Sequence, residues 1–269
     1  MLSRFLFVLL LSQLFFKAAY SGELTAQAYW QGLQDGFTYL YQGSYEQFRE
    51  KNNLDVAAAA IPSLWYAFEE DKRISDNASK KRVNKFMQIS SDLSPALSFP
   101  LIPLAFYSYG LKQEDERSLQ FAKEYFGALY LALAESAALS LIDVHERPNS
   151  SRLSKWETNF RGDSSFPSGH VIPYAVLALK TFQFYGPLHA IIPGALFVGT
   201  SLQRIRDHKH YLSDVMGSFF LSVFASEGVR KAGNYQGNHY LYQMIFEHNV
   251  SVGATSYRGV LGPKISFDW

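Results

Sequence analysis

Apolar residues return every three or four positions between residues 119 and 142, where Ala122, Phe126, Leu129, Leu133 and Ala137 fall on one side of a helix. Glu124 and Glu135, eleven positions apart, share another side. The pattern predicts a helix that packs on protein with one face and meets water with the other. From Leu212 the same period runs through Val215, Phe219, Phe220, Val223 and Phe224 to about Val229, with Gly217 leaving room for a close neighbour. Between Lys180 and Arg204 no charge interrupts the chain, but Gly186-Pro187 and Pro193-Gly194 do. Those breaks predict two buried helices, the first ending near Tyr185, instead of one membrane span. A second uncharged run, between Asp92 and Lys112, is broken at Pro95, Pro100 and Pro103.

The N-terminal half is less regular. Aromatic residues from Tyr29 to Phe48 are scattered among polar ones, which predicts short amphipathic helices or an ordered lead-in. Residues 53 to 68 turn apolar, and the following stretch carries Lys72, Arg73, Lys80, Lys81, Arg82 and Lys85. Such a run reads as a solvated helix face, with contact to anionic head groups as the alternative. After Gly233 the pattern changes to alternation at Val250-Ser251-Val252 and Ile265-Ser266-Phe267, with glycines at 253, 259 and 262 between them. A small hairpin or an extended tail is expected there. The sum is an all-α chain, a helical bundle with a short extended or β-hairpin C-terminal tail.

Composition narrows the class. The 269 residues are 48% hydrophobic and 18% charged, enough for one substantial domain with a closed core. A formal net charge of +1 gives no reason to expect nucleic acid as a partner, so any anion recognition must come from local clusters. Without cysteine the chain has neither disulfides nor thiolate metal sites. Residues 1–21 combine a basic start, an apolar stretch from Phe5 to Phe16 and small residues at Ala19 and Ser21. They are read as an export signal, which places the protein in the periplasm or outside the cell, with membrane association left open. The expected division is a signal at 1–21, a helical domain at 22–233 and a tail at 234–269.

The chemistry centres on Phe166-Pro167-Ser168-Gly169-His170, which leads into the apolar run from Val171. Small side chains, backbone N–H groups and the positive end of a helix dipole beside one imidazole make an anion site with a proton donor attached. Upstream stands Arg147-Pro148, and downstream Arg204, His210 and Asp214. On a helix, His210 and Asp214 would share a face, so the carboxylate could fix the imidazole tautomer and stabilise the imidazolium.

These three blocks resemble the signature of the type 2 phosphatidic acid phosphatase superfamily, which includes bacterial non-specific acid phosphatases, lipid phosphatases and vanadium haloperoxidases. That signature reads KxxxxxxRP, PSGH and SRxxxxxHxxxD in order. PSGH is complete here and the other key positions match, except that Ser140 stands at the lysine and Gln203 at the serine before the second arginine. The resemblance covers roughly residues 90 to 230. It implies the helical fold of this superfamily and a phosphatase that needs no metal or other cofactor. By the same resemblance His210 attacks phosphorus, Asp214 orients it, and His170 protonates the leaving oxygen and then activates water. Arg147 and Arg204 would hold the phosphoryl oxygens, with Ser168 and the Gly169 N–H adding donors.

Loss of the lysine removes a contact that contributes about tenfold to a hundredfold, unless Arg152, Lys155, Arg161, Arg206 or Lys209 takes its place. A phosphate ester is the expected partner, with phospholipid, isoprenyl phosphate and soluble monoesters all open, as is peripheral membrane contact. The other readings are a phosphate- or phospholipid-binding protein with lost turnover, a vanadium-dependent haloperoxidase, and a metal site at His208-x-His210. His145, His189, His239 and His248 are read as structural or surface residues.

Overall fold

The computed structural model describes residues 24–144, 146–149, 164–247, 249–257 and 260–268. The signal expected at 1–21, His145, His248 and the candidate cations Arg152, Lys155 and Arg161 lie outside the described residues. In chain order the elements are α1 (Ala26–Glu46), α2 (Lys51–Ser79), α3 (Lys85–Leu97), α4 (Leu101–Gln113), α5 (Glu116–Leu139), α6 (Ile172–Tyr185), α7 (Pro187–Arg206) and α8 (Leu212–Gly233). A short helix, α9 (Tyr240–Tyr242), runs into a π-helical turn at Gln243–Glu247. Then β1 (Asn249–Tyr257) pairs antiparallel with β2 (Val260–Asp268), so the alternating C-terminal stretch is a hairpin.

Helix α5 is the centre of the bundle. Asp115 starts it by accepting the Arg117 backbone N–H at 3.2 Å, satisfying an otherwise orphaned donor of the first turn. Its Phe121, Tyr125, Leu129 and Ala132 pack with Ile172, Val176 and Phe184 of α6 and with Ala225 and Val229 of α8. Helix α1 closes another side with Tyr39 and Leu40 packed on the core and with glycines where its backbone comes closest. Trp30, Phe37 and Tyr41 are exposed, whereas Gly36 and Gly43 face the core. A Cβ on Gly36 would lie 2.8 Å from the Phe126 ring, and one on Gly43 would lie 2.6 Å from Val229. The lead-in is therefore one helix whose bare backbone fits between larger neighbours, instead of several short amphipathic ones.

Four further expectations change. Glu124 does not meet water: it is fully buried, and its carboxylate accepts from the ammonium of Lys180, itself fully buried, at 2.9 Å. Gln120 at 3.0 Å and Gln183 at 2.9 Å also donate to Glu124, so both carboxylate oxygens are hydrogen-bonded. Burial pushes the Lys180 pKa down, and the adjacent Glu124 charge works against that fall. Second, the two helices between Lys180 and Arg204 differ. Helix α6 is buried, but α7 turns Leu188, Ile191, Ile192 and Val198 outward, because only one side of it meets α3 and α6. Third, the charge run is not one helix face: α2 exposes Lys72 and Arg73 but buries Asp71 and Ser75, it ends at Ser79, and Lys85 already begins α3.

Fourth, the extended tail begins at Asn249, not at 234. The His239 backbone N–H donates to the Gln183 carbonyl at 2.8 Å and Tyr242 is buried against the bundle, so residues 234–247 belong to its packing. Among the described residues no single helix is long and apolar enough to cross a membrane. The pair α3 and α4, bent by 67° at its break, meets that test by length and composition only when joined.

Candidate active site

The three sequence blocks meet at the ends of α5, α6 and α8. Helix α5 stops at Leu139, with Ser140 as its C-cap, and the Ser140 hydroxyl donates to the Ala137 carbonyl at 2.7 Å. Beyond it Glu146 bridges antiparallel to Ser164, which brings Arg147 beside the strand-like approach to Ser168. Ser168, Gly169 and His170 form the turn that enters α6, whose Pro173 suits the first turn because it lacks an N–H to leave unpaired. From the α3 side, the Ser94 hydroxyl donates to the His170 carbonyl.

His210 and Asp214 come together in a different way from the shared helix face expected of them. His210 precedes α8, whose N-cap is Tyr211, so the two residues are not on one helical stripe. Asp214 instead reaches back as the third residue of the helix. One carboxylate oxygen accepts the Tyr211 N–H at 2.8 Å and lies 3.2 Å from His210 Nδ1, while the other accepts from the Ser165 hydroxyl at 3.2 Å. A capping carboxylate is thereby also the partner of the imidazole. His210 and Asp214 are both buried, with relative exposures of 1% and 0%. The backbone N–H groups of Lys209 and His210 donate to the Arg204 carbonyl at 3.0 and 3.3 Å, folding the last turn of α7 onto the same segment.

The loops are also locked to each other. The Ser168 N–H donates to the Asp214 carbonyl at 3.1 Å, and the Ser218 hydroxyl lies 2.9 Å from the Ser168 carbonyl and 2.8 Å from that of Asp214. Gly217 faces the same junction: a Cβ there would come within 2.3 Å of the Phe166 ring, so the close approach expected of this glycine is made by the residue before the PSGH turn.

A cavity of about 470 Å³ opens between these ends, and Arg147, Gly169, His170 and His210 line it together with Ser140. Of the other predicted site residues, Asp214, Ser168 and Arg204 are buried next to the lining ones, at 0%, 0% and 4% exposure. Among the described residues the Ser168 hydroxyl has no hydrogen-bond partner, a costly state for a buried donor that an anion oxygen would relieve. Pro95, Leu133, Ala137 and Leu141 supply an apolar wall.

Two of the candidate replacements for the lysine can be placed. The Arg206 guanidinium donates to the Arg82 carbonyl at 2.9 Å, and Lys209 pairs with Asp207 at 3.8 Å; neither lines the cavity. Gln203 donates its amide to Asp207, so it supports the α7 turn and not an anion. His208 sits at a φ of 52° with Nδ1 3.2 Å from the Ser75 hydroxyl, and among the described residues no group of metal-binding side chains gathers around it. His189 Nδ1 lies 2.8 Å from the Tyr185 carbonyl, and His239 caps α9, accepting the Leu241 N–H at 3.2 Å. Asp71, Ser94 and Ser218, which hydrogen-bond to the site segments, belong to no motif and carry no local signal in the chain.

Residues 125–245 match the family model described as PAP2 superfamily. No curated protein and no solved structure matches the chain.

Proposed function

We propose that this chain, whose residues 125–245 are a PAP2 superfamily domain, hydrolyses phosphate monoesters through a phosphohistidine intermediate. The superfamily consists typically of phosphatases. The observation that carries the reading is the cavity itself, where side chains from distant parts of the chain place imidazoles and a guanidinium around one space of a size for a phosphoryl group and its substituent.

With Nδ1 of His210 directed at Asp214, attack on phosphorus falls to Nε2. The new N–P bond forms as the ester P–O bond breaks, and the departing oxygen takes a proton from His170. Asp214 stabilises the imidazolium character that develops on His210. Water then loses a proton to His170 and attacks phosphorus, the N–P bond breaks, and orthophosphate leaves with both histidines restored. Arg147, Arg204, the Ser168 hydroxyl and the Gly169 N–H hold the equatorial oxygens, where charge spreads in the transition state. The apolar wall of Pro95, Leu133, Ala137 and Leu141 favours an ester with a hydrocarbon substituent, such as a phospholipid or isoprenyl phosphate, over a sugar phosphate.

The test is hydrolysis of a chromogenic phosphomonoester by the purified protein without added metal, with vanadate as inhibitor. His210→Ala is expected to abolish turnover and the acid-labile phosphoenzyme. Near-normal hydrolysis by that variant would show the nucleophile to be elsewhere. A protein that is thermally stabilised by phosphate but turns nothing over would be a binding module.

A further inference from the structure

Helix α2 lies outside residues 125–245, yet it touches the segment that bears the proposed nucleophile. Asp71 is 4% exposed. One of its oxygens accepts the Ser213 backbone N–H at 3.0 Å and the other accepts the Ser213 hydroxyl. One turn along α2, the Ser75 hydroxyl meets His208 Nδ1 at 3.2 Å. The segment from His208 to Ser213 is therefore pinned to α2 at both ends, and His210 lies between the pins.

The two carboxylates at the start of α8 divide the orphaned donors of its first turn. Asp214 takes the Tyr211 N–H and faces the imidazole, and Asp71 takes that of Ser213, two residues on. The phenol of Tyr211 records both charges: burial pushes its pKa up first, then Asp71, then Asp214. Ser213 adjoins Asp214, so movement of Ser213 moves the carboxylate that orients His210. An aspartate on a surface-patterned helix needs a reason to be buried, and an N-terminal helix cap made from a different helix supplies one.

Resting on the phosphatase reading above, we infer that Asp71 is a positioning residue of the active site, acting through Ser213 to set the place of His210 and Asp214. It does not touch substrate. Its effect is on the fraction of molecules whose imidazole stands in line with the phosphorus, which appears in turnover and not in substrate binding.

The experiment compares Asp71→Asn, Asp71→Glu and Ser213→Ala with wild type, using Asp55→Asn, an exposed change on the same helix, as control. For Asp71→Asn, kcat per folded molecule is expected to fall about tenfold to a hundredfold with KM within about twofold, Asp71→Glu recovering part of the loss. The downfield Nδ1 proton of His210, assigned by its absence in His210→Ala, is expected to shift or broaden in Asp71→Asn and Ser213→Ala and to stay put in Asp55→Asn. Should Asp71→Asn not fold, Ser213→Ala, which removes only the hydroxyl contact, carries the comparison. Unchanged kcat together with an unmoved imidazole proton overturns the inference. If wild-type protein hydrolyses no phosphomonoester the phosphatase reading falls, and the imidazole proton alone decides whether Asp71 positions His210.

Discussion

The backbone N–H of Ser168 donates to the carbonyl of Asp214 across 3.1 Å, joining the turn that carries His170 to the helix start that holds His210. Main-chain bonding between the two loops fixes their spacing independently of what occupies the cavity. The Ser218 hydroxyl reinforces the junction from one turn further along α8. Ser218→Ala is expected to cost about 1 kcal/mol of stability in urea unfolding and to lower kcat about threefold to tenfold. A stability loss with full turnover would show that the junction holds the fold without tuning the site.

The lysine position offers a gain-of-function test. Ser140 lines the cavity at the C-terminal end of α5, where a cation is also favoured by the helix dipole. Ser140→Lys is expected to tighten competitive inhibition by inorganic phosphate about tenfold. An unchanged inhibition constant would mean that phosphate does not bind next to Ser140.

The buried ion pair makes a different prediction. Removing the ammonium in Lys180→Met leaves the Glu124 carboxylate in the core with only amide donors, Gln120 and Gln183, beside it. The expected cost is about 3–5 kcal/mol in urea unfolding. Adding Glu124→Gln is expected to recover most of that loss, since no charge is then stranded. If the double variant is no better than the single one, charge burial is not what Lys180 offsets.

Glu135 gives a pH dependence. Burial holds its carboxyl above the usual carboxylate range, while a hydrogen bond from Gln47 pulls it back. The folded state therefore binds this proton more tightly than the unfolded chain does. The stabilising contribution is complete below the ordinary carboxylate pKa of about 4.3 and is lost as pH rises through the higher folded value. Glu135→Gln does not titrate, so at neutral pH it is expected to melt about 2–4 °C above wild type, with the gap closing in acid. A gap that is constant from acid to neutral pH would place its origin in packing.

What could be read in advance followed from range of interaction. Helices α5, α6 and α8 announce themselves through local period and proline breaks, and the motif blocks through short fixed spacing. The period within α5 sets Glu124 on a water-facing side, because its partner Lys180 is 56 residues away and no local pattern carries that information. Asp71 was hidden in a charge run for the same reason, since Ser213 lies 142 residues on. The expected His210–Asp214 contact exists, but through a helix cap, a geometry that the four-residue spacing shares with a helical face.

The bare side of α1 has a practical consequence. Because Gly36 and Gly43 let its backbone rest on Phe126 and Val229, cutting the chain down to residues 125–245 would strip cover from the centre of α5 and the end of α8. The smallest fragment able to fold is thus larger than the stretch by which kinship is detected, and expression designs should keep α1 and α2 attached.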